Sequence, residues 1–195
     1  MMMRHNPGHH TVLTYASKNE GKSWIRSNVI DLGGVGHHSG VIEATIEQLN
    51  DGRIWMLMRT MWGKFWEAFS NDEGKTWKNF NPTEIKASTS PGLIKRLSSG
   101  RLILIWNQLY PEGKTEFPLS GGDGQWSEVP ASNHRQELSI MFSEDEGKSW
   151  SSPVVIARVE RRVSYPYLFE SSPGELWITT MQGGLRARIY EKDFL

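Results

Sequence analysis

The sequence predicts an all-β chain built from repeated four-stranded antiparallel sheets, and three observations predict it. An eight-residue run, S-x-[DN]-E-G-K-[ST]-W, occurs three times, at 17–24, 70–77 and 143–150. A second element, L-x-x-G-R-[IL], recurs in phase with it at 49–54 and 97–102, with a degenerate copy at 173–178. Finally, no long stretch carries a helical period, while Trp is abundant, at nine in 195 residues. Self-similarity at long spacing marks a repeat architecture, in which each repeat is one supersecondary unit.

Each position of the eight-residue box has a local job. The Ser and Asp or Asn side chains hydrogen-bond nearby backbone groups and fix a tight turn. Gly21, Gly74 and Gly147 supply a positive-φ corner. Trp24, Trp77 and Trp150 are large apolar anchors expected to pin each turn to its own sheet. In the second element, a three-residue loop ending in Gly matches a type I turn with a glycine bulge, so each copy reads as a β-hairpin. The repeating unit is then hairpin, strand, box, strand.

Taken in order, strand-like residues from Thr11 to Ala16 run into the first box, and a short outer strand follows near Asn28 to Leu32. The loop 33–40 carries His37 and His38. Residues 41–49 and 53–59 form the first full hairpin, and 64–69 the third strand before the second box. The next unit has strands near 93–97 and 101–106, a polar, Gly-rich insertion over 107–134, then a strand over 136–142, the third box and 153–157. A last hairpin over 163–169 and 175–180 leads to a strand around 186–190. This makes two complete units, half a unit before them and most of one after. Such sheets set radially make a β-propeller of four to eight blades. The 1–195 chain is thus a single partial domain of about three blades, half of a six-bladed ring. Two copies in a homodimer would complete that ring, and an unclosed ring exposes strand edges.

Composition narrows the partners. Lys plus Arg and Asp plus Glu balance at 22 each, which gives no support to a nucleic-acid or membrane-surface partner. No run approaches the ~18 apolar residues of a membrane span. Without Cys there is no disulfide framework. The start, Met1 to Pro7, lacks the apolar stretch of a secretory signal. That leaves the compartment open, a secreted or periplasmic setting being expected for a longer relative.

Antiparallel connectivity sorts the loops. The boxes and the L-x-x-G-R turns share one rim; the opposite rim receives Glu43 and Tyr165 at the starts of first strands, Arg59 at the end of a second strand and Arg135 at the start of a third. Leu49 pairs with Arg53 across the three-residue loop, and counting six residues outward sets Glu43 roughly opposite Arg59, in reach of an ion pair. The same rim holds the insertion, with Trp106 expected to pack and Asn107 offered to a sugar, and the loop with His38. His37 and His38, adjacent on a strand-like loop, are expected to point opposite ways, so no joint metal site is predicted. Glu20, Glu73 and Glu146 fall on the far rim as solvated turn residues.

The boxes resemble the Asp-box (BNR) repeat of sialidases, and the resemblance runs from Val12 almost to the end. It implies a six-bladed propeller that hydrolyses terminal sialic acids with retention, through a Tyr nucleophile activated by a Glu, with arginines on the sugar carboxylate and an Asp as acid. Carried onto this sequence, Glu43 in Ile42-Glu43-Ala44 is the base and Arg59 in Met58-Arg59-Thr60 a carboxylate ligand. Arg135 in His134-Arg135-Gln136 is a second such ligand, and Tyr165 in Tyr165-Pro166-Tyr167-Leu168 the nucleophile, Tyr167 being the alternative. The family's first arginine and its catalytic Asp have no counterpart; Asp31 and Asp123 are the acids on rim loops, and Arg162 lies near Tyr165. The residue types suit the chemistry. Guanidinium forks grip carboxylates through paired charge-assisted bonds. A phenol with pKa near 10 needs a carboxylate to take its proton. The resemblance thus implies an acidic carbohydrate substrate, with no cofactor and no metal. The alternative is a non-catalytic propeller that binds acidic glycans or a protein.

Overall fold

The computed structural model describes residues 2–6, 8–124 and 126–194, the first stretch as backbone alone. Its strands are β1 (Met2–Asn6), β2 (His9–Leu13), β3 (Tyr15–Ala16), β4 (Ile25–Arg26), β5 (Ile42–Gln48), β6 (Ile54–Arg59), β7 (Lys64–Ser70), β8 (Lys78–Lys86) and β9 (Leu93–Arg96). Then come β10 (Leu102–Trp106), β11 (Leu119–Ser120), β12 (Ala131–Ser132), β13 (Glu137–Ser143), β14 (Val154–Arg158), β15 (Ser164–Ser172), β16 (Glu175–Gln182) and β17 (Arg186–Tyr190). A short 3₁₀ turn, Glu191–Phe194, comes last. Among the described residues no helix is long and apolar enough to cross a membrane.

Two four-stranded antiparallel sheets, in the orders β5-β6-β7-β8 and β9-β10-β13-β14, are followed by a three-stranded one, β15-β16-β17. In each, the strand earliest in sequence forms one edge, and these edge strands β5, β9 and β15 lie side by side. β2 flanks β5 on its other side. Three apolar cores fill the spaces between successive layers. Val12 and Ile30 meet Met56, Met58 and Ala68; Trp55, Leu57 and Phe65 meet Leu102, Leu104 and Trp106; Ile103, Ile105, Leu138 and Ile140 meet Leu168, Leu176 and Ile178. Strands β6 and β10 are therefore buried on both faces. That explains why Ile54-Trp55-Met56-Leu57-Met58 and Leu102-Ile103-Leu104-Ile105-Trp106 read as unbroken apolar runs. Each fully buried Leu or Ile is worth about 1.5–3 kcal/mol. The far face of the last sheet, by contrast, exposes Tyr167, Phe169, Trp177 and Met181.

The three boxes share one hydrogen-bond scheme. The Ser Oγ accepts from the Gly N–H four residues on, at 2.8–2.9 Å, and donates to the Asn19, Asp72 or Asp145 Oδ1. That same Oδ1 accepts the N–H of Ser23, Thr76 or Ser149 at 2.8–2.9 Å. Not only the glycines but also Glu20, Glu73 and Glu146 take left-handed φ, of 57°, 60° and 64°. The tryptophans depart from expectation. Trp77 donates its Nε1–H to Thr14 Oγ1 and Trp150 packs on Trp55, so each reaches to the preceding layer rather than its own sheet. Trp24, in the first box, is exposed.

Serine and threonine donors pull the carboxyls of Asp72 and Asp145 down to about 2, Ser70 leading for the first and Ser149 for the second. Against ~3.9 in an unfolded chain, each ionised carboxylate favours the folded state. The contribution is complete above about pH 4 and disappears as the pH falls toward 2. An Asp72→Asn/Asp145→Asn protein, mimicking box one with its Asn19, should show a flatter fall in melting temperature across that window. An unchanged slope would contradict it.

Other differences are local. Strand β1 pairs with β2 where no strand is expected from the sequence. The outer strand over 28–32 reduces to an Ile30–Val12 bridge, with β4 just before it. The insertion carries the small ladder β11–β12. In the degenerate third hairpin Ser172 pairs with Glu175, leaving the two-residue loop Pro173-Gly174. Glu146 is not a solvated turn residue. Its two oxygens accept from Arg96 Nη1 and Nη2 at 2.9 and 2.8 Å and from the backbone N–H and side-chain amide of Asn50, stapling two sheets together at the box rim.

Candidate active site

Glu43 stands where the ladder between β5 and β6 slips. From Gln48 to Thr45 the register follows the three-residue turn, but between Thr45 and Ile42 it shifts by one, so Ile42, not Glu43, faces Arg59. Glu43 takes φ 44° in this irregularity. Bulged residues re-aim their side chains, and here the carboxylate still meets Arg59, whose Nη1 donates to Glu43 Oε2. The other oxygen, Oε1, accepts the phenol O–H of Tyr165 at 2.9 Å. Tyr165 comes from the first strand of the last sheet, 122 residues away, and also holds a left-handed φ, 61°. Pro166 behind it disfavours the right-handed helical region. A third residue of the site, His38, has φ 63°. Backbone held in this region costs about 1–3 kcal/mol per residue and clusters at functional sites.

Arg59 and Arg135 are both buried. Thr89 joins them: its Oγ1 accepts from Arg59 Nε and Nη2 at 3.2 and 3.0 Å, and its carbonyl from Arg135 Nη2 at 2.7 Å. Arg135 also donates Nε to Asn133 Oδ1 and Nη1 to Gln182 Oε1, which accepts the Ser164 hydroxyl as well. Its Cζ lies 5.6 Å from the Tyr165 ring centroid, within cation–π range. All these partners of Arg135 are neutral. Burial, then the nearby Arg59 charge, lower its pKa from the usual arginine value. These bonds take three of the five N–H groups of each guanidinium, and Arg135 also interacts with the Tyr165 hydroxyl. Of the two buried cations only Arg59 is paired with a carboxylate, a balance that an incoming anion would complete.

Four of the six sequence candidates, Glu43, Arg59, Arg135 and Tyr165, are therefore brought together. His38 borders them. Its Nδ1 lies 3.1 Å from the Trp126 carbonyl oxygen, and its pKa is lowered first by burial, with His37 and Arg59 acting in the same sense. The expectation that His37 and His38 diverge is wrong. The loop turns at this point, and the rings meet at a centroid distance of 4.2 Å with their Nδ1 atoms in contact. Among the described residues no group of three or more His, Asp or Glu is placed to hold a metal ion.

Asn107 is committed elsewhere. Both its amide hydrogens go to the carbonyls of Glu137 and Val163, and its oxygen accepts from Ser90. It braces the rim beneath the site and has no donor left for a sugar. Trp106 is buried and donates to the Lys86 carbonyl, the packing role expected of it. Tyr167 points to the exposed face of its sheet, opposite to Leu168. Asp31 caps its own turn through the Gly33 N–H and pairs with His9 at 2.8 Å; the Gly33 bond is the first cause that lowers its carboxyl pKa. Asp123 sits in the exposed insertion loop, 3.5 Å from the Trp126 N–H.

Sequence reasoning misses Thr89, Gln182 and Asn133. The signal for Thr89 is its place on the same rim, just ahead of Ser90-Pro91-Gly92 where the next unit opens. Replacing it with Val would leave two buried Arg59 donors without an acceptor. Urea unfolding should register a loss of about 1–3 kcal/mol, which Thr89→Ser recovers in large part; an unchanged midpoint for Thr89→Val would contradict this.

The chain superimposes on NanB sialidase of Streptococcus pneumoniae (K499G form) with a TM-score of 0.57 at 18% identity, covering 90% of this chain and 24% of that one. The intramolecular trans-sialidase of Ruminococcus gnavus gives 0.53 at 19%, over 91% and 34%. A Hadza microbial sialidase gives 0.52 at 16%, over 92% and 37%. This likeness is one of fold, and the chain spans about a quarter to just over a third of these proteins' length. No curated protein sequence matches it. The BNR repeat-like domain matches residues 2–178, nearly the whole chain. With its recurring boxes, its antiparallel sheets and a fold similar to that of sialidases, the chain belongs to the BNR repeat-like domain family.

Proposed function

We propose that this chain forms three blades of a propeller and carries the nucleophile and carboxylate-binding part of a sialidase-like, retaining exo-glycosidase acting on terminal sialic acid or a related acidic sugar. The observation that supports it most is the phenol of Tyr165 hydrogen-bonded to a carboxylate, Glu43, whose other oxygen is held by a buried arginine. Arg59 and Arg135 receive the sugar carboxylate on their remaining N–H groups. Tyr165 Oη attacks the anomeric carbon and its proton passes to Glu43. The bond to the leaving oxygen breaks with the electron pair on that oxygen, which takes a proton from an acid. Water then attacks the anomeric carbon of the glycosyl–tyrosine, giving a proton to the conjugate base of that acid, while the bond to Oη opens and Tyr165 takes back its proton from Glu43. A neutral Tyr–Glu couple spares an anionic sugar the approach of an anionic nucleophile, and tyrosine nucleophiles are the sialidase departure from the two-carboxylate scheme.

One observation favours the second reading, a binding domain without hydrolysis. Asp31, one of the two rim-loop candidates for the acid, is committed to its own turn and has a lowered pKa, the wrong direction for a proton donor near neutral pH. The two readings separate by covalent labelling with a sialosyl fluoride, whose leaving group needs no acid. Label on Tyr165 supports the enzymatic reading. Sialic acid binding that disappears in Arg135→Met, with no label formed, supports the other.

A further inference from the structure

Beside the site, on the same rim, lies an open groove of about 580 Å³ lined by Gln136, Glu160, Arg161, Arg162, Gln182 and Gly183. Gln182 belongs to both places, since its Oε1 accepts from Arg135 while its residue forms the groove wall. The backbone around Arg162 is fixed on two sides. The Val163 N–H donates to the Arg135 carbonyl at 2.6 Å, and Gly183 packs so closely that a Cβ there would lie 2.1 Å from the Arg162 carbonyl oxygen. Gly183 also holds φ 85°, so only glycine permits this approach. Among the described residues neither Arg161 nor Arg162 has an ion pair or side-chain hydrogen bond, whereas most arginines elsewhere on the surface are paired.

We propose that this groove is a second anion subsite, in which Arg162, flanked by Arg161, takes the carboxylate of the sugar next to the one held by Arg59 and Arg135. The ligand class is a glycan with two adjoining acidic sugars. The proposal rests on the acidic-sugar reading of the Tyr165–Glu43 site for the order of the two sugars. Glu160 stands in the same groove and supplies an acceptor for sugar hydroxyls. The groove is open to solvent, so the gain is modest and salt-sensitive.

The test uses the ¹⁵N-labelled chain titrated with N-acetylneuraminic acid and with its α2,8-linked dimer, the Gly183 amide reporting on the groove and the Thr89 amide on the main site. The dimer should shift both amides and bind about fivefold more tightly than the monomer, the effect of about 1 kcal/mol. In Arg162→Ala the dimer should fall to the monomer's affinity and Gly183 should fall silent, while Thr89 still responds. A Gly183 amide that ignores the dimer, or an advantage that survives in Arg162→Ala, overturns the subsite whatever Thr89 does. An Arg162-dependent response at Gly183 with Thr89 silent keeps the groove as a carboxylate site and overturns the main-site reading instead. Silence at both amides overturns both.

Discussion

Incubated with a sialic acid fluorinated at C2 and C3, the protein should gain the mass of one fluorosugar on Tyr165, and Tyr165→Phe should gain none. Fluoride leaves with its electron pair and needs no proton, so the step asks only for what the geometry supplies: a phenol, a base and an anion clamp. The Tyr165 hydroxyl already donates to Glu43 at 2.9 Å, the direction in which its proton must travel. Fluorine at C3 slows the later attack by water and lets the adduct accumulate. Glu43→Gln keeps an oxygen for the phenol but cannot take the proton, and labelling should slow by about 10²- to 10⁴-fold. Peptide mapping decides the outcome. Label on Tyr167, on Glu43 itself, or on Tyr165→Phe at the parent rate would remove Tyr165 from the nucleophile role.

Arg59→Ala should lower stability by about 3 kcal/mol, the small end of the loss when a buried ion pair is deprived of one partner, because Glu43 retains some contact with water. The Arg59 side chain is 4% exposed and that of Glu43 22%. Its removal strands the carboxylate on a left-handed backbone residue and leaves the Thr89 hydroxyl without two of its donors. Pairing the change with Glu43→Gln removes the uncompensated charge, so the double variant should be at least about 1 kcal/mol less destabilised than the sum of the single ones. Urea unfolding of the four proteins closes the cycle. A loss below about 1 kcal/mol for Arg59→Ala, or strict additivity, would mean the pair does not hold this rim together.

Much of the scaffold is legible because it is written locally and repeatedly. The boxes fix their own turns through the Ser, Asp and Gly that recur in them, and strands buried on both faces show as unbroken apolar runs. Strand direction sends Glu43, Arg59, Arg135 and Tyr165 to one rim, and the resemblance to sialidases singles them out among the residues gathered there. The illegible part depends on distances across sheets. Thr89 matters because its hydroxyl and its carbonyl meet two arginines from different strands, and no local pattern marks such a threonine. Glu146 reads as a solvated turn residue until the neighbouring sheet brings Arg96 and Asn50 to it. The one-residue slip at Glu43 comes from the backbone that re-aims its carboxylate, which simple counting from the turn passes over. Strand alternation would separate His37 from His38, but a turn with a left-handed residue brings their rings together.

The phenol–carboxylate hydrogen bond ties the first full sheet to the last and passes over the one between them, closing 122 residues of chain. Long closures of this kind carry an entropic cost that is recovered only once the intervening layers have docked. The hydrogen-bonded pair is therefore a property of the finished stack rather than of either strand that bears it. A cut or a loosened layer at either junction would part Tyr165 from Glu43 while leaving most of the β-structure standing.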